Sequence, residues 1–167
     1  MTNAPKSSPA ENPYPPSDAL RHVLWEQHIK TDIDAFIAGD WSRVAADFDE
    51  DRFCALDAGR SADPADWTVG FPTLEAYKTT WLSQSKVTNE RADPALLRDA
   101  LLKGASLAKV TQTSTDALVM LKSFDGALPL KDGTFEPYGW QSLFTLRLVQ
   151  QDWKIVSFIG YLPPSIP

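Results

Sequence analysis

Residues 138–167 read YGWQSLFTLRLVQ, then QD, then WKIVSFIGYLPPSIP. Two runs of β-branched, aromatic and aliphatic residues flank a short polar break, the pattern of a β-hairpin. Both runs are apolar at alternate and at intervening positions, so both faces of their sheet need cover. Helices packed on one face leave the other for a second subunit. Alternation puts Trp140, Ser142 and Phe144 on one face and Gln141, Thr145 and Arg147 on the other. It also puts Trp153, Ile155, Ser157, Ile159 and Tyr161 together.

Upstream, Ser106–Thr113 and Ala117–Phe124 flank the turn Ser114–Asp116 and predict another hairpin, with Asp125–Gly126 and Asp132–Gly133 as turn dipeptides in the loop that follows. The first half is helical. Ser17 or Asp18 opens an amphipathic helix that runs to Ala38 before Gly39, with Trp25, Ile29, Ile33, Phe36 and Ile37 on one face and His22 in line with them. Asp40 caps a short second helix. FCALD (Phe53–Asp57) is a short strand, and Arg60–Pro72 a long connection. Thr73 caps a third helix to about Ser85, and Ala95–Leu102 forms a fourth. Helices followed by strands predict an α+β fold, helices segregated to one face of a mostly antiparallel sheet.

At 167 residues the chain suits one domain with its own core. Residues 1–17 hold five prolines and no apolar pattern, which predicts a mobile tail ahead of a single domain over 18–163; a PxxP-type ligand role is the alternative. A net charge of −6, with isolated lysines such as Lys103, Lys109, Lys122 and Lys131, argues against a nucleic-acid partner. The single cysteine, Cys54, excludes an internal disulfide and suits a reducing compartment; its mid-strand place predicts a buried, inert thiol. No stretch reaches the length of a membrane span and the N-terminus has no apolar signal region, so a cytoplasmic location is expected.

The stretches AGDW (38–41), VAADFDED (44–51), DAG (57–59) and the closing WKIVSFIGYLP (153–163) together resemble the nuclear transport factor 2-like superfamily, which includes ketosteroid isomerases and polyketide cyclases. The resemblance implies a conical, curved sheet wrapped by N-terminal helices around an apolar pocket. It also implies a homodimer formed through the outer sheet face. Asp57 matches the strand-end aspartate that serves as general base in the isomerases. Asp32 stands where they carry a hydrogen-bonding tyrosine, so that donor is missing here.

Candidate chemistry follows from these positions. Asp57 is either a proton shuttle in an apolar pocket or a turn cap beside Ala58–Gly59. Asp32, on the flank of the helix stripe, is either a pocket group or a surface residue paired with a lysine. His22 is an acid or base at a pocket mouth, or a capping histidine. With Tyr161 they form the candidate catalytic set. Trp25, Phe36, Trp67, Trp81 and Trp140 are expected to line a pocket for a small hydrophobic molecule. His22 and His28 are six apart on one helix and no CxxC accompanies them, so neither a metal nor another cofactor is expected. Two functions remain: cofactor-independent proton transfer (isomerase, dehydratase or cyclase type), or non-catalytic ligand binding by a dimeric accessory protein.

Overall fold

The computed structural model describes residues 8–164. Its order is helix α1 (Ala19–Trp25), a π-helical turn (Glu26–Thr31), α2 (Asp32–Ala38), then strands β1 (Cys54–Asp57) and β2 (Thr68–Phe71). Helices α3 (Leu74–Arg91) and α4 (Leu97–Gly104) follow, then β3 (Ala105–Ser114), β4 (Ala117–Pro129), β5 (Phe135–Val149) and β6 (Asp152–Leu162). The strands form one curved, unclosed α+β sheet in the order β2-β1-β6-β5-β4-β3. Only β1 and β6 run parallel; the other neighbours are antiparallel.

The first helix forms where its apolar spacing predicts, and Gly39 ends it at φ +63°, a conformation that favours glycine. The π turn adds a residue to the helical repeat and so rotates the faces that follow it. Leu24, Trp25, His28, Ile29 and Ile33 are consequently buried together against the sheet. Leu118 and Met120 on β4 and Leu146 on β5 meet them from the sheet side. Each such side chain contributes roughly 1.5–3 kcal/mol by leaving water.

Several expectations change. Within the proline-rich segment, Ala10 and Tyr14 rest on the core, and the Tyr14 hydroxyl donates to the Leu107 carbonyl at 3.1 Å. Residues 1–7 of the expected tail lie outside the described residues. The Arg60–Pro72 connection contains a strand, β2, because Thr68–Phe71 pairs with β1. Asp125–Gly126 lies inside β4, opposite Gly139 and Tyr138, rather than in a turn. Gly126 is needed there for close approach, since a Cβ would stand 2.7 Å from the Tyr138 hydroxyl. Asp132–Gly133 is a turn, with Gly133 at φ +84° and Asp132 accepting from the Thr134 amide. Cys54 is exposed, because on β1 it is Ala55 that faces the core.

The closing hairpin turns at Gln150–Gln151, both at positive φ as a type I′ turn requires. Its face assignment for β6 breaks at a bulge. Thr145 opposes Ser157, but Leu146 opposes Ile155, so one extra residue on β6 is unpaired. A one-residue slip exchanges the faces. Ile155 and Phe158 are therefore buried, while Ser157 and Ile159 lie across from Thr145 and Leu143 on the outer face. A second shift, between Leu143–Ile159 and Gln141–Leu162, precedes the sharp backbone of Tyr161 at φ +55°.

Candidate functional site

Between the concave face of the sheet and helices α2 and α3 lies a cavity of about 540 Å³, within the range of small-molecule sites. Its floor comes from two neighbouring strands. On β4, Lys122 and Phe124 face the helices; on β5, Trp140, Ser142 and Phe144 do the same, in register with them. Phe124 stacks on Trp140 with centroids 4.7 Å apart, and Phe144 packs on Phe158 at 5.2 Å. Phe36 from α2 and Trp81 from α3 close the opposite wall edge to face, 5.4 Å apart.

Lys122 is the exceptional residue on this apolar surface. Its side chain is 6 % exposed, and its ammonium donates to Asp32 Oδ2 at 3.0 Å. The same nitrogen sits 5.2 Å from the Phe124 ring centroid and 5.4 Å from that of Phe144. Negative ring faces and one carboxylate thus hold a cation that burial alone would disfavour. Directly across the strands, Ser142 is buried, lines the cavity, and has no side-chain hydrogen-bond partner among the described residues.

Tyrosines add further polar groups. Tyr77 stands on α3 among Phe53, Phe71 and Phe158. Burial, then the charge of Asp32 and then Tyr161, push its ionisation well above the ordinary phenol range, so it remains a neutral O–H. The Tyr161 hydroxyl lies 2.7 Å from Gln84 Nε2 and 3.1 Å from Oε1. Burial raises its ionisation too, against the lowering by the Gln84 hydrogen bond. At the mouth, Arg91 pairs with Glu136, and Arg60 donates to the Gly139 carbonyl at 2.7 Å.

Of the predicted site residues, Asp32, Tyr161, Phe36, Trp81 and Trp140 come together around this cavity. Asp57 does not line it: its Oδ1 accepts from the Gly59 amide at 2.7 Å, the turn-capping arrangement. His22 stands apart, its Nδ1 2.7 Å from the Tyr14 carbonyl oxygen, engaged by the folded-back N-terminal segment. Trp25 is core, 3 % exposed, on the helix face ahead of the π turn. Trp67 lies outside the cavity and donates from Nε1 to the Ser61 carbonyl at 3.1 Å, because β2 is at the sheet's edge.

Sequence reasoning missed Lys122, Ser142 and Tyr77 as site residues. A signal existed for the first: in LVMLKSF a lysine occupies the inward phase of an otherwise apolar alternation. His28 was seen but its setting was not. It is buried, its Nε2 has no partner among the described residues, and burial, then the Lys122 charge, lower its pKa to about 3. Nearby Asp47 accepts from Gln27 at 2.7 Å, and its pKa rises to about 6, chiefly through burial and against the Gln27 hydrogen bond. Among the described residues no cluster of three or more His, Cys, Asp or Glu is placed to hold a metal ion, and no helix is long and apolar enough to cross a membrane.

No family model and no curated protein matches the chain. Solved structures do match. A nuclear transport factor 2-like superfamily protein from Salmonella enterica serovar Typhimurium is 9 % identical, with 90 % of this chain and 94 % of that one covered and a TM-score of 0.55. A domain of unknown function with a cystatin-like fold from Nostoc punctiforme is 17 % identical over 84 % of this chain and 75 % of its own, TM-score 0.54. The association domain of CaMKII from C. elegans is 11 % identical over 87 % and 98 %, TM-score 0.51. At these identities the likeness is one of fold: the chain has the nuclear transport factor 2-like α+β fold. Activity has to be argued from the site.

Proposed function

We propose that this protein, a nuclear transport factor 2-like fold, holds a small, largely apolar molecule in the cavity and grips one of its oxygens between Lys122 and Ser142. The observation that carries this reading is the pair itself. A lysine with two N–H groups beyond its bond to Asp32, and a hydroxyl without a side-chain partner among the described residues, stand side by side on an aromatic floor. Both groups line the cavity with hydrogen-bonding capacity to spare, and one ligand oxygen would engage both. The aromatic walls supply the apolar contact.

Asp32 supports a second reading, cofactor-independent proton transfer. Its Oδ2 is held by Lys122 while the carboxylate lines the cavity, so a ligand oxygen on Lys122 would bring an adjacent C–H toward a fixed base, and the ammonium would stabilise the charge that develops on the oxygen. In this reading Asp32 takes the role first sought at Asp57.

The outer face of the sheet favours pairing with a second copy. Leu121, Leu143 and Ile159 lie side by side across β4, β5 and β6, and Val119 and Thr111 extend them into a shallow groove. One fold relative is an association domain, which accords with such use. The single cysteine fits a reducing compartment such as the cytoplasm.

Titration of tryptophan fluorescence tests the pocket, since Trp81 and Trp140 line it. The ketone 2-acetonaphthone should quench and bind about tenfold tighter than 2-ethylnaphthalene, the value of one charge-assisted hydrogen bond. Equal affinities contradict recognition of an oxygen, and no binding by either contradicts the pocket.

A further inference from the structure

The charged residues of the cavity do not balance. Three cations line it, Arg60, Arg91 and Lys122, against two carboxylates, Asp32 and Glu136. Lys122 is matched by Asp32, and Arg91 by Glu136. Arg60 has no ion-pair partner among the described residues. The neighbouring carboxylate, Asp57, is taken by the Gly59 amide. Among the lining residues alone Arg60 is therefore the cation without a carboxylate bonded to it, while the Asp57 carboxylate stands just outside the lining.

Arg60 is also held in place. Its backbone adopts φ +65°, which a non-glycine residue rarely does, and its amide donates to the Tyr161 carbonyl at 2.8 Å. Its Nη1 donates to the Gly139 carbonyl at 2.7 Å, which ties the guanidinium to β5 beside Trp140. One of five N–H donors is used, leaving a planar fork at the mouth. A fixed guanidinium with free donors matches a planar oxyanion such as a carboxylate.

Resting on the pocket reading above, we infer that the ligand is a hydrophobic monocarboxylate whose carboxylate is received by Arg60 at the mouth while its apolar body lies inward along Trp140, Phe124 and Phe144. The molecule then spans the cavity from a cationic rim to the Lys122–Ser142 floor. A neutral analogue of the same shape keeps the wall contacts and loses the rim.

The experiment compares 2-naphthoate with 2-naphthamide by tryptophan quenching, in the wild-type protein and in Arg60→Gln. Wild type should bind naphthoate about threefold to fivefold tighter than naphthamide, as expected for an ion pair at an exposed arginine. In Arg60→Gln the two affinities should converge, with naphthamide unchanged. As a check on the unaltered protein, raising the salt should weaken naphthoate and spare naphthamide. Equal binding by wild type, or a preference that survives Arg60→Gln, overturns the inference and leaves the pocket standing. A preference that instead disappears in Lys122→Met also overturns it, by placing the anion at the floor. Failure of both compounds to bind overturns the pocket reading and this inference together.

Discussion

Replacing Asp32 by alanine would leave the Lys122 ammonium at the cavity floor without its carboxylate. With a side chain only 6 % exposed, Lys122 would retain the two aromatic faces at 5.2 and 5.4 Å and little else. Breaking a fully buried pair costs about 3–5 kcal/mol. Two features reduce that figure: the Asp32 side chain is itself 30 % exposed, so the pair is not fully buried, and water entering the cavity rehydrates the ammonium. About 2 kcal/mol of destabilisation remains. Lys122→Met should cost far less, about 0–1 kcal/mol, because it leaves a carboxylate 30 % exposed and able to hydrate. The double variant, with neither charge, should lie close to Lys122→Met alone, giving a coupling energy of about 2 kcal/mol. Urea denaturation followed by tryptophan fluorescence reads these differences. With a slope of about 2 kcal/mol per molar, Asp32→Ala should lower the midpoint by about 1 M. If Asp32→Ala and Lys122→Met are equally costly, or if the double variant is merely their sum, Lys122 is not a buried charge dependent on Asp32 and the reasoning fails.

Two further outcomes are expected. Gly126→Ala pushes a methyl group toward Tyr138, with its Cβ 2.7 Å from the hydroxyl and 2.9 Å from Cζ, and should cost about 1–3 kcal/mol; Tyr138→Ala should rescue part of that loss in thermal melts, and additive losses would contradict the clash. His28 and Asp47 should make opposing contributions to pH dependence. His28 titrates near 3 when folded against 6.5 unfolded, so the unfolded chain binds the extra proton in that window and stability falls as pH drops through it. Asp47 titrates near 6 when folded against 3.8 unfolded, so the folded chain binds the extra proton and stability rises as pH drops from 6 toward 4. Between about pH 4 and 6 the two slopes largely cancel. Asp47→Asn should expose the His28 slope, a loss of up to about 1.4 kcal/mol per pH unit on acidification, whereas His28→Leu should reverse the sign. Unaltered pH profiles in both variants would contradict these assignments.

The architecture was legible because it rests on local signals. Apolar spacing defined the first helix, Gly39 its end, and the closing pair of apolar runs the hairpin of β5 and β6. The faces of β6 were not legible, because the bulge at Val156 depends on pairing geometry and leaves no mark in composition. The site was half legible. Asp32 was a candidate on its own helix, but its partner lies ninety positions away on β4, and only the folded sheet brings Lys122 to it. Asp57 drew attention through its place at the end of a strand, yet the adjacent Gly59 amide claims its carboxylate. Tyr77 looked like an ordinary member of an amphipathic helix until the surrounding rings and the cavity gave it a setting.

A ligand oxygen meeting Lys122 inside the cavity underlies the whole functional reading. Its most direct test is nuclear magnetic resonance of the lysine side chains, labelled at Cε, during titration with 2-acetonaphthone. Lys122, assigned by its absence in Lys122→Met, should shift in proportion to tryptophan quenching, while Lys86, exposed on α3, should not move. Quenching that saturates with the Lys122 resonance unmoved would contradict the account.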